Sequence, residues 1–410
     1  MSVKTFHLKD YEKIVGHQVV EELYLIGERT KGLKIRNVNS TAVGGGVAEI
    51  LTRMIPLLKD VGVDASWDVI KGNARFYQAT KRFHNALHGN AADLSEEDFD
   101  AFLATSEENG KAMDMSGDVL FIHDPQPITL IEQKSRQKGK WVWRCHVDVS
   151  NPDQRVWDFL RRYMDQYDAT VFSAPMFSRS LPNRQFLIAP SIDPLAEKNK
   201  ELSEKTIQSV LDKYKLDLSK PMVTQVSRFD YLKDPIGVIE AVEMVQRYVD
   251  CQLVLVGGEA ADDPESTEVL AKVRERAQKN PDVHVLAIPS GSDVEINALQ
   301  RASAVVVQKS IKEGFGLTVS EALWKAKPVV ASAVGGITLQ ITHQYSGLLC
   351  HSVEGAAHQI KQLLQNPKFA EKLGKNGQEH VKQNFLLTRH LRDYLLLFLA
   401  LTHDGDVVHL

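Results

Sequence analysis

The chain has 410 residues, 43% of them hydrophobic and 25% charged, which is enough apolar material for two or three cores. A formal net charge of -4 and a pI near 6.4 exclude a global attraction to nucleic acid or to an anionic membrane surface. Cys145, Cys251 and Cys350 are odd in number and lack CxxC or Cys/His ligand spacing, which argues against a disulfide framework or a zinc site and fits a reducing cytoplasm.

Lys4, Lys9, Asp10 and Glu12 stand where a secretion signal needs an apolar core. Residues 1 to about 30 read as an amphipathic helical stretch, with Val19, Val20, Leu23 and Ile26 at helical spacing. Residues 34–39 read as a first strand, Ser40-Thr41-Ala42-Val43-Gly44-Gly45-Gly46 as a glycine-rich loop, and about 47–59 as a helix. Strand, glycine loop and helix in that order make a phosphate-cradling turn. The loop is not a dinucleotide fingerprint, because the third glycine of GxGxxG falls at Glu49, and no GK[ST] follows for a P-loop. NAD binding and ATP hydrolysis therefore lose support. A tight strand-to-helix turn without a ligand explains the loop as well.

Further strands are predicted at about 65–70, 118–123, 141–147, 170–173 and 185–189, with amphipathic helical segments between most of them. The alternation implies an α/β fold with a parallel sheet covered on both faces. Ligands of such sheets bind beyond the carboxyl ends of the strands. Two polar clusters fall there, His123-Asp124-Pro125-Gln126-Pro127 and Arg144-Cys145-His146-Val147-Asp148. Each histidine also suits a simple hydrogen-bonded place at the rim of a core, and Asp124 before a proline suits a turn.

Between about 192 and 221 the pattern breaks into a charged stretch that reads as a linker with a helix. A second series follows, with strands at 222–227, 252–256, 283–288, 304–307 and 329–332. Two similar sheets predict two Rossmann-like domains, 1–195 and 196–385. Ser292-Asp293-Val294-Glu295 and Thr318-Val319-Ser320-Glu321 both fit capping boxes. Gly335-Gly336 forms another turn, and a leucine-rich helix over about 385–401 has an apolar surface broad enough to bridge two bodies. Its longest apolar run, 394–401, is far too short to span a bilayer.

The chemistry concentrates on Lys312-Glu313-Gly314-Phe315-Gly316-Leu317-Thr318-Val319-Ser320-Glu321, between a β-branched strand and an apolar helix. Gly314 and Gly316 let backbone amides approach a ligand, the first amides of the helix are unpaired, and two carboxylates flank the turn. Such a turn suits a polyol phosphate. Arg228 and Lys233, on the loop after the first strand of the second series, can converge on a diphosphate, one as a fork and one as a point charge. Solvated surface cations explain them equally.

The glycine loop, the Arg228/Lys233 loop and the Glu313-Gly314-Phe315-Gly316-Leu317…Glu321 turn together resemble the GT-B retaining glycosyltransferases related to glycogen synthase and sucrose synthase. Within that group the chain is most similar to the trehalose glycosyltransferring synthases. The shared stretches are Val38-Asn39-Ser40-Thr41…Gly44-Gly45-Gly46-Val47-Ala48-Glu49-Ile50, Phe83-His84-Asn85-Ala86-Leu87, His123 to Pro127 and Trp143-Arg144-Cys145-His146-Val147-Asp148. The resemblance implies a GT-B fold, two Rossmann-like domains facing a deep cleft, with a C-terminal helix, 386–410, crossing back to the first. It implies transfer of glucose from a nucleoside-diphosphate glucose to free glucose, giving trehalose with retained α configuration.

By that resemblance Glu313, Arg228, Lys233 and His146 are the catalytic group. Donor binding falls to Gly45, Gly46, Arg228, Lys233, Gly257, Glu313, Gly314, Phe315, Gly316, Leu317 and Glu321, with Glu321 on the ribose hydroxyls. Gly44, Asp124 and Asp148 are the candidates for fixing the acceptor. No metal is expected, because the only Asp-x-Asp runs are Asp98-Phe99-Asp100, in a predicted helix, and Asp404-Gly405-Asp406, in the tail, both read as solvated. No cofactor, nucleic acid or membrane partner is expected, and a homodimer is a possible assembly. One departure stands out: Lys233 is followed by Asp234-Pro235 where relatives often have glycine, so a carboxylate is added beside the expected diphosphate site. A retaining trehalose phosphorylase is the nearest alternative, and a sugar-nucleotide sensor without turnover is the alternative from another class.

Overall fold

The computed structural model describes residues 6–42, 45–89, 93–217, 219–258 and 264–403. The chain divides into two compact units, one formed by Met1–Ser191 with Leu387–Leu410 and one by Ile192–Leu386.

The first unit is built on six parallel strands in the order β2-β1-β3-β4-β5-β6. These are β1 Lys34–Asn39, β2 Asp64–Val69, β3 Val119–His123, β4 Lys140–Cys145, β5 Ala169–Phe172 and β6 Arg184–Leu187. All five residues of β3 are buried, as the continuous apolar run of a strand covered on both faces requires. From β1 the chain moves outward to β2 and then returns to the other side of β1 as β3, so a topological switch point lies between β1 and β3. His123 ends β3 at that point and is in register with Arg144 of β4. The helix Leu387–Thr402 belongs to this unit. It buries Leu391, Leu395, Leu397 and Phe398, and Tyr394 meets the Phe121 ring edge-on at 5.0 Å.

The second unit repeats the plan in the order β12-β11-β10-β7-β8-β9, again all parallel. The strands are β7 Met222–Val226, β8 Gln252–Gly258, β9 Val283–Ile288, β10 Val305–Gln308, β11 Val329–Ser332 and β12 Leu348–Cys350. Here the switch point lies between β7 and β10, which pair directly. It places the loop after β7 beside the loop after β10, although some 80 residues separate them.

Several local expectations change. The amphipathic N-terminal stretch is interrupted at Gly16, whose φ of 91° suits glycine, so Glu12–Val15 and His17–Thr30 are separate helices. Strand β12 has only three residues, too short to leave a periodic signal, and sits at the sheet edge. Neither capping box forms as read. The Ser292 hydroxyl donates to the Pro289 carbonyl, while Glu295 pairs with Lys213 at 3.0 Å. The helix Leu317–Trp324 starts one residue earlier than expected with Gly316 as its cap, which moves Glu321 beyond the capping position. Asp98 is not solvated: it is buried, closes a capping box with Ser95 and pairs with Arg82 at 2.7 Å. Asp100 is exposed, and 404–406 lie outside the described residues. Among the described residues no helix is long and apolar enough to cross a membrane.

Candidate active site

In the second unit the switch point gathers the charges. Tyr231–Lys233 forms one tight helical turn after β7, and the Gln225 side chain donates to the Lys233 carbonyl at 2.7 Å. The Ile311 amide donates to the Leu232 carbonyl at 2.8 Å, tying this loop to the one after β10. Lys233 Nζ then lies 2.6 Å from Glu313 Oε2, which also accepts from the Ser310 hydroxyl at 3.1 Å. Both side chains are largely buried. Arg228 takes a different partner, Asp230, at 3.1 Å and is mostly exposed.

Gly316 adopts φ 84° and ψ 66°, and a Cβ there would stand 3.1 Å from Glu313 Cγ, so glycine both makes the turn and leaves room for the carboxylate. The Gly336 amide donates to the Glu313 carbonyl at 3.3 Å. Phe315 is buried and packs edge-on against Phe385 at 5.4 Å, so its ring belongs to the core and only its backbone can serve a ligand. Leu317, half-buried, begins the helix, and the Val319 amide donates to the carbonyl of the capping Gly316 at 2.9 Å. Glu321 is buried with Oε1 3.6 Å from Lys198 Nζ, and Lys325 Nζ donates to the Glu321 carbonyl and to Asn199 Oδ1, each at 3.0 Å. Burial pushes the Lys325 ammonium down, and the neighbouring Glu321 opposes this.

Asp234, the residue after Lys233, has φ 48° and ψ 53°. Glycine takes this left-handed conformation freely and aspartate at modest cost. Its carboxylate accepts the Gly237 amide at 3.1 Å, capping the helix Pro235–Gln246, and pairs with Lys309. The added charge is thus engaged within the scaffold. Gly257, in β8, packs against the Ser227 carbonyl and the Phe229 ring, where a Cβ would collide.

In the first unit His123 and His146 stack with ring centroids 5.5 Å apart. His123 Nδ1 is 3.2 Å from His146 Nε2, and His123 Nε2 is 3.1 Å from Asn37 Oδ1. Arg144 Nε donates to His146 Nε2 at 3.2 Å, and Asp124 Oδ1 accepts the His146 amide at 2.8 Å. Burial, with the Arg144 charge, pushes His123 down to about 3 and His146 well below its ordinary value, so both rings are neutral. Burial pushes the Asp124 carboxyl up to about 7, against the hydrogen bond from the His146 amide and the Arg144 charge. Asp124 also has φ 68°. Asp148 is buried and accepts the Ser150 amide at 2.8 Å. Gly45, with φ 82°, caps the helix Gly46–Asp60, while Gly44 lies outside the described residues.

Residues 37–179 match the family described as trehalose synthase, N-terminal domain, and residues 207–380 match glycosyl transferases group 1. The trehalose synthase of Pyrococcus horikoshii is 43% identical over 394 residues, covering 95% of each chain. This chain belongs to the trehalose synthase family. It is a glycosyltransferase with the GT-B fold. The trehalose phosphorylase of Pleurotus pulmonarius is similar at lower identity, 29% over 398 residues, and the match covers 83% of this chain but 54% of that one. Among solved structures, one described as trehalose-6-phosphate from E. coli bound with UDP-2-fluoro glucose superposes with a TM-score of 0.72. It covers 92% of this chain and 100% of that one, at 14% identity, a likeness of fold.

In this glycosyltransferase the structure brings Lys233 into contact with Glu313 and Asp124 into contact with His146. It does not engage Arg228 with the same carboxylate as Lys233, and it leaves Glu321 apart from the capping role. Sequence reasoning assigned no role to Asn37, Lys198, Lys309 or Ser310, and it quoted Arg144 only as part of a motif. Arg144 carried the one available signal, a cation inside a strand that reads as buried.

Proposed function

We propose that this glycosyltransferase moves glucose from a nucleoside-diphosphate glucose to free glucose, reversibly forming α,α-trehalose with retention and without a metal. The observation that carries the reading is the Lys233–Glu313 contact beside the glycine turn. It sets a cation for the leaving diphosphate against a carboxylate for the sugar. The similarity to named trehalose synthases over nearly the whole chain supports the product.

As the bond between C1 and the phosphate oxygen breaks, its electron pair leaves with the diphosphate. Lys233, Arg228 and the amides around Gly45, Gly46, Gly314 and Gly316 stabilise that charge, and preorganised donors do so without reorganisation. Glu313 holds sugar hydroxyls and supports the positive charge developing at C1, His146 meets the transferred sugar, and Glu321 takes the ribose hydroxyls. The acceptor's anomeric hydroxyl joins C1 on the same face, and its proton passes to the departing phosphate oxygen, so no protein nucleophile is needed. Asp124 and Asp148 orient the acceptor.

The test is glucose with ADP-, UDP- or GDP-glucose in the presence of EDTA. The expected product is a non-reducing disaccharide with at least one donor, and its absence with all three rejects the reading. The similarity to a trehalose phosphorylase motivates a second arm, trehalose with phosphate or with a nucleoside diphosphate. Glucose 1-phosphate would identify a phosphorylase, and nucleoside-diphosphate glucose the synthase. Trehalose made from maltose alone would identify an isomerising enzyme.

A further inference from the structure

His146 Nε2 has two nitrogen neighbours, Arg144 Nε and His123 Nδ1, each at 3.2 Å. A guanidinium keeps its protons at every working pH, so in the first contact Arg144 donates and His146 Nε2 accepts. Arg144 is held in place. It is fully buried, its Nη2 donates to the Ile188 carbonyl at 2.9 Å, and its guanidinium carbon lies 5.4 Å from the centre of the Tyr394 ring.

His123 does not change the outcome. Its Nε2 faces Asn37 Oδ1 at 3.1 Å, and Asn37 Nδ2 donates to the Ser66 carbonyl at 3.2 Å. With the Asn37 amide oriented by that bond, its Oδ1 accepts from His123 Nε2, so His123 Nδ1 is bare and meets His146 Nε2 as a second acceptor, and the permanent proton on Arg144 Nε is the one that serves the pair. His146 Nε2 therefore remains an acceptor. A neutral imidazole has one N–H, so the proton of His146 sits on Nδ1.

We propose that Arg144 is a positioning residue that locks His146 in its Nδ1–H form, so that His146 donates one hydrogen bond to a sugar oxygen and cannot take a proton there. The Asp124 carboxylate, holding the His146 amide at 2.8 Å, fixes the backbone from which the ring projects. The sugar contact rests on the function proposed above; the tautomer rests on the geometry alone.

Proton–nitrogen NMR of the nitrogen-labelled whole protein tests the lock, with the His146 signals assigned by their loss in His146→Gln. The expected pattern is a protonated Nδ1 and a bare Nε2. A protonated Nε2 in the unaltered protein overturns the proposal, and this measurement needs no variant of Arg144. In Arg144→Met the pattern should give way to mixed tautomers, with kcat falling at least tenfold and KM changing less. Arg144→Lys, which keeps the charge but not the fork, should fail to restore the pattern. If the Nδ1–H form is seen but His146→Gln turns over trehalose at the full rate, the lock stands and the sugar contact is refuted.

Discussion

Lys233 Nζ stands 2.6 Å from Glu313 Oε2, and the two residues are 80 positions apart. Each side chain is more than four-fifths buried, with 17% and 10% exposed, so the charges meet in a poorly solvated place where removing one strands the other. Lys233→Ala and Glu313→Ala should each lower kcat/KM at least about tenfold, roughly 1.4 kcal/mol of transition-state stabilisation. Steady-state kinetics with the accepted donor measures this, and full activity in both variants would remove the assignment.

Asp234 combines a left-handed backbone with a helix cap and an ion pair to Lys309. Asp234→Gly loses the side-chain contacts but keeps the backbone at no steric cost, whereas Asp234→Ala also incurs about 1–2 kcal/mol for the left-handed conformation. Alanine should therefore be the more destabilising of the two in urea unfolding. The reverse order would show that the turn conformation does not govern this position.

Burial raises the Asp124 carboxyl from 3.8 to about 7. A carboxyl that holds its proton more tightly when folded contributes stability that is full below about pH 4 and is lost as pH rises through about 7. Asp124→Asn removes the titration and retains an acceptor for the His146 amide. Relative to the parent, the variant should gain stability as urea melts are moved from about pH 4 to about pH 8. A difference that stays constant with pH would contradict the shift.

Gly257 leaves no space for a Cβ beside the Ser227 carbonyl and the Phe229 ring. Gly257→Ala should push away the loop that carries Arg228 and Lys233, costing about 1–3 kcal/mol of stability, as overpacking commonly does. Binding of a nucleoside diphosphate, followed by calorimetry, should weaken as well. Unchanged affinity with reduced stability would confine the glycine to packing.

Much of this enzyme could be read from its residues. Apolar runs such as Val119 to Ile122 and Val305 to Val307 announce buried parallel strands, because a strand covered on both faces has no polar side to alternate. The Glu313 to Leu317 segment could be read as a tight turn into a helix from its glycines, and Gly316 makes that turn. The capping reading of Glu321 failed for a local reason: the positive φ of Gly316 starts the helix at Leu317, a backbone choice that leaves no mark on residue spacing.

What the sequence could not decide is adjacency. Strand order is set by how whole sheets pack, so only the fold places β10 against β7 and brings Lys233 to Glu313, or β4 against β3 and brings Arg144 to the histidine pair. Partnership decided the charges as well. Asp234 looked like an intruding carboxylate until Lys309 and the helix amides were seen to engage it, and Arg144 looked like one letter of a motif until burial fixed its contact with His146. Residue type and order therefore determined which chemistry the chain carries, and tertiary packing decided which groups meet, because a charge or an imidazole takes its working state from neighbours distant in sequence.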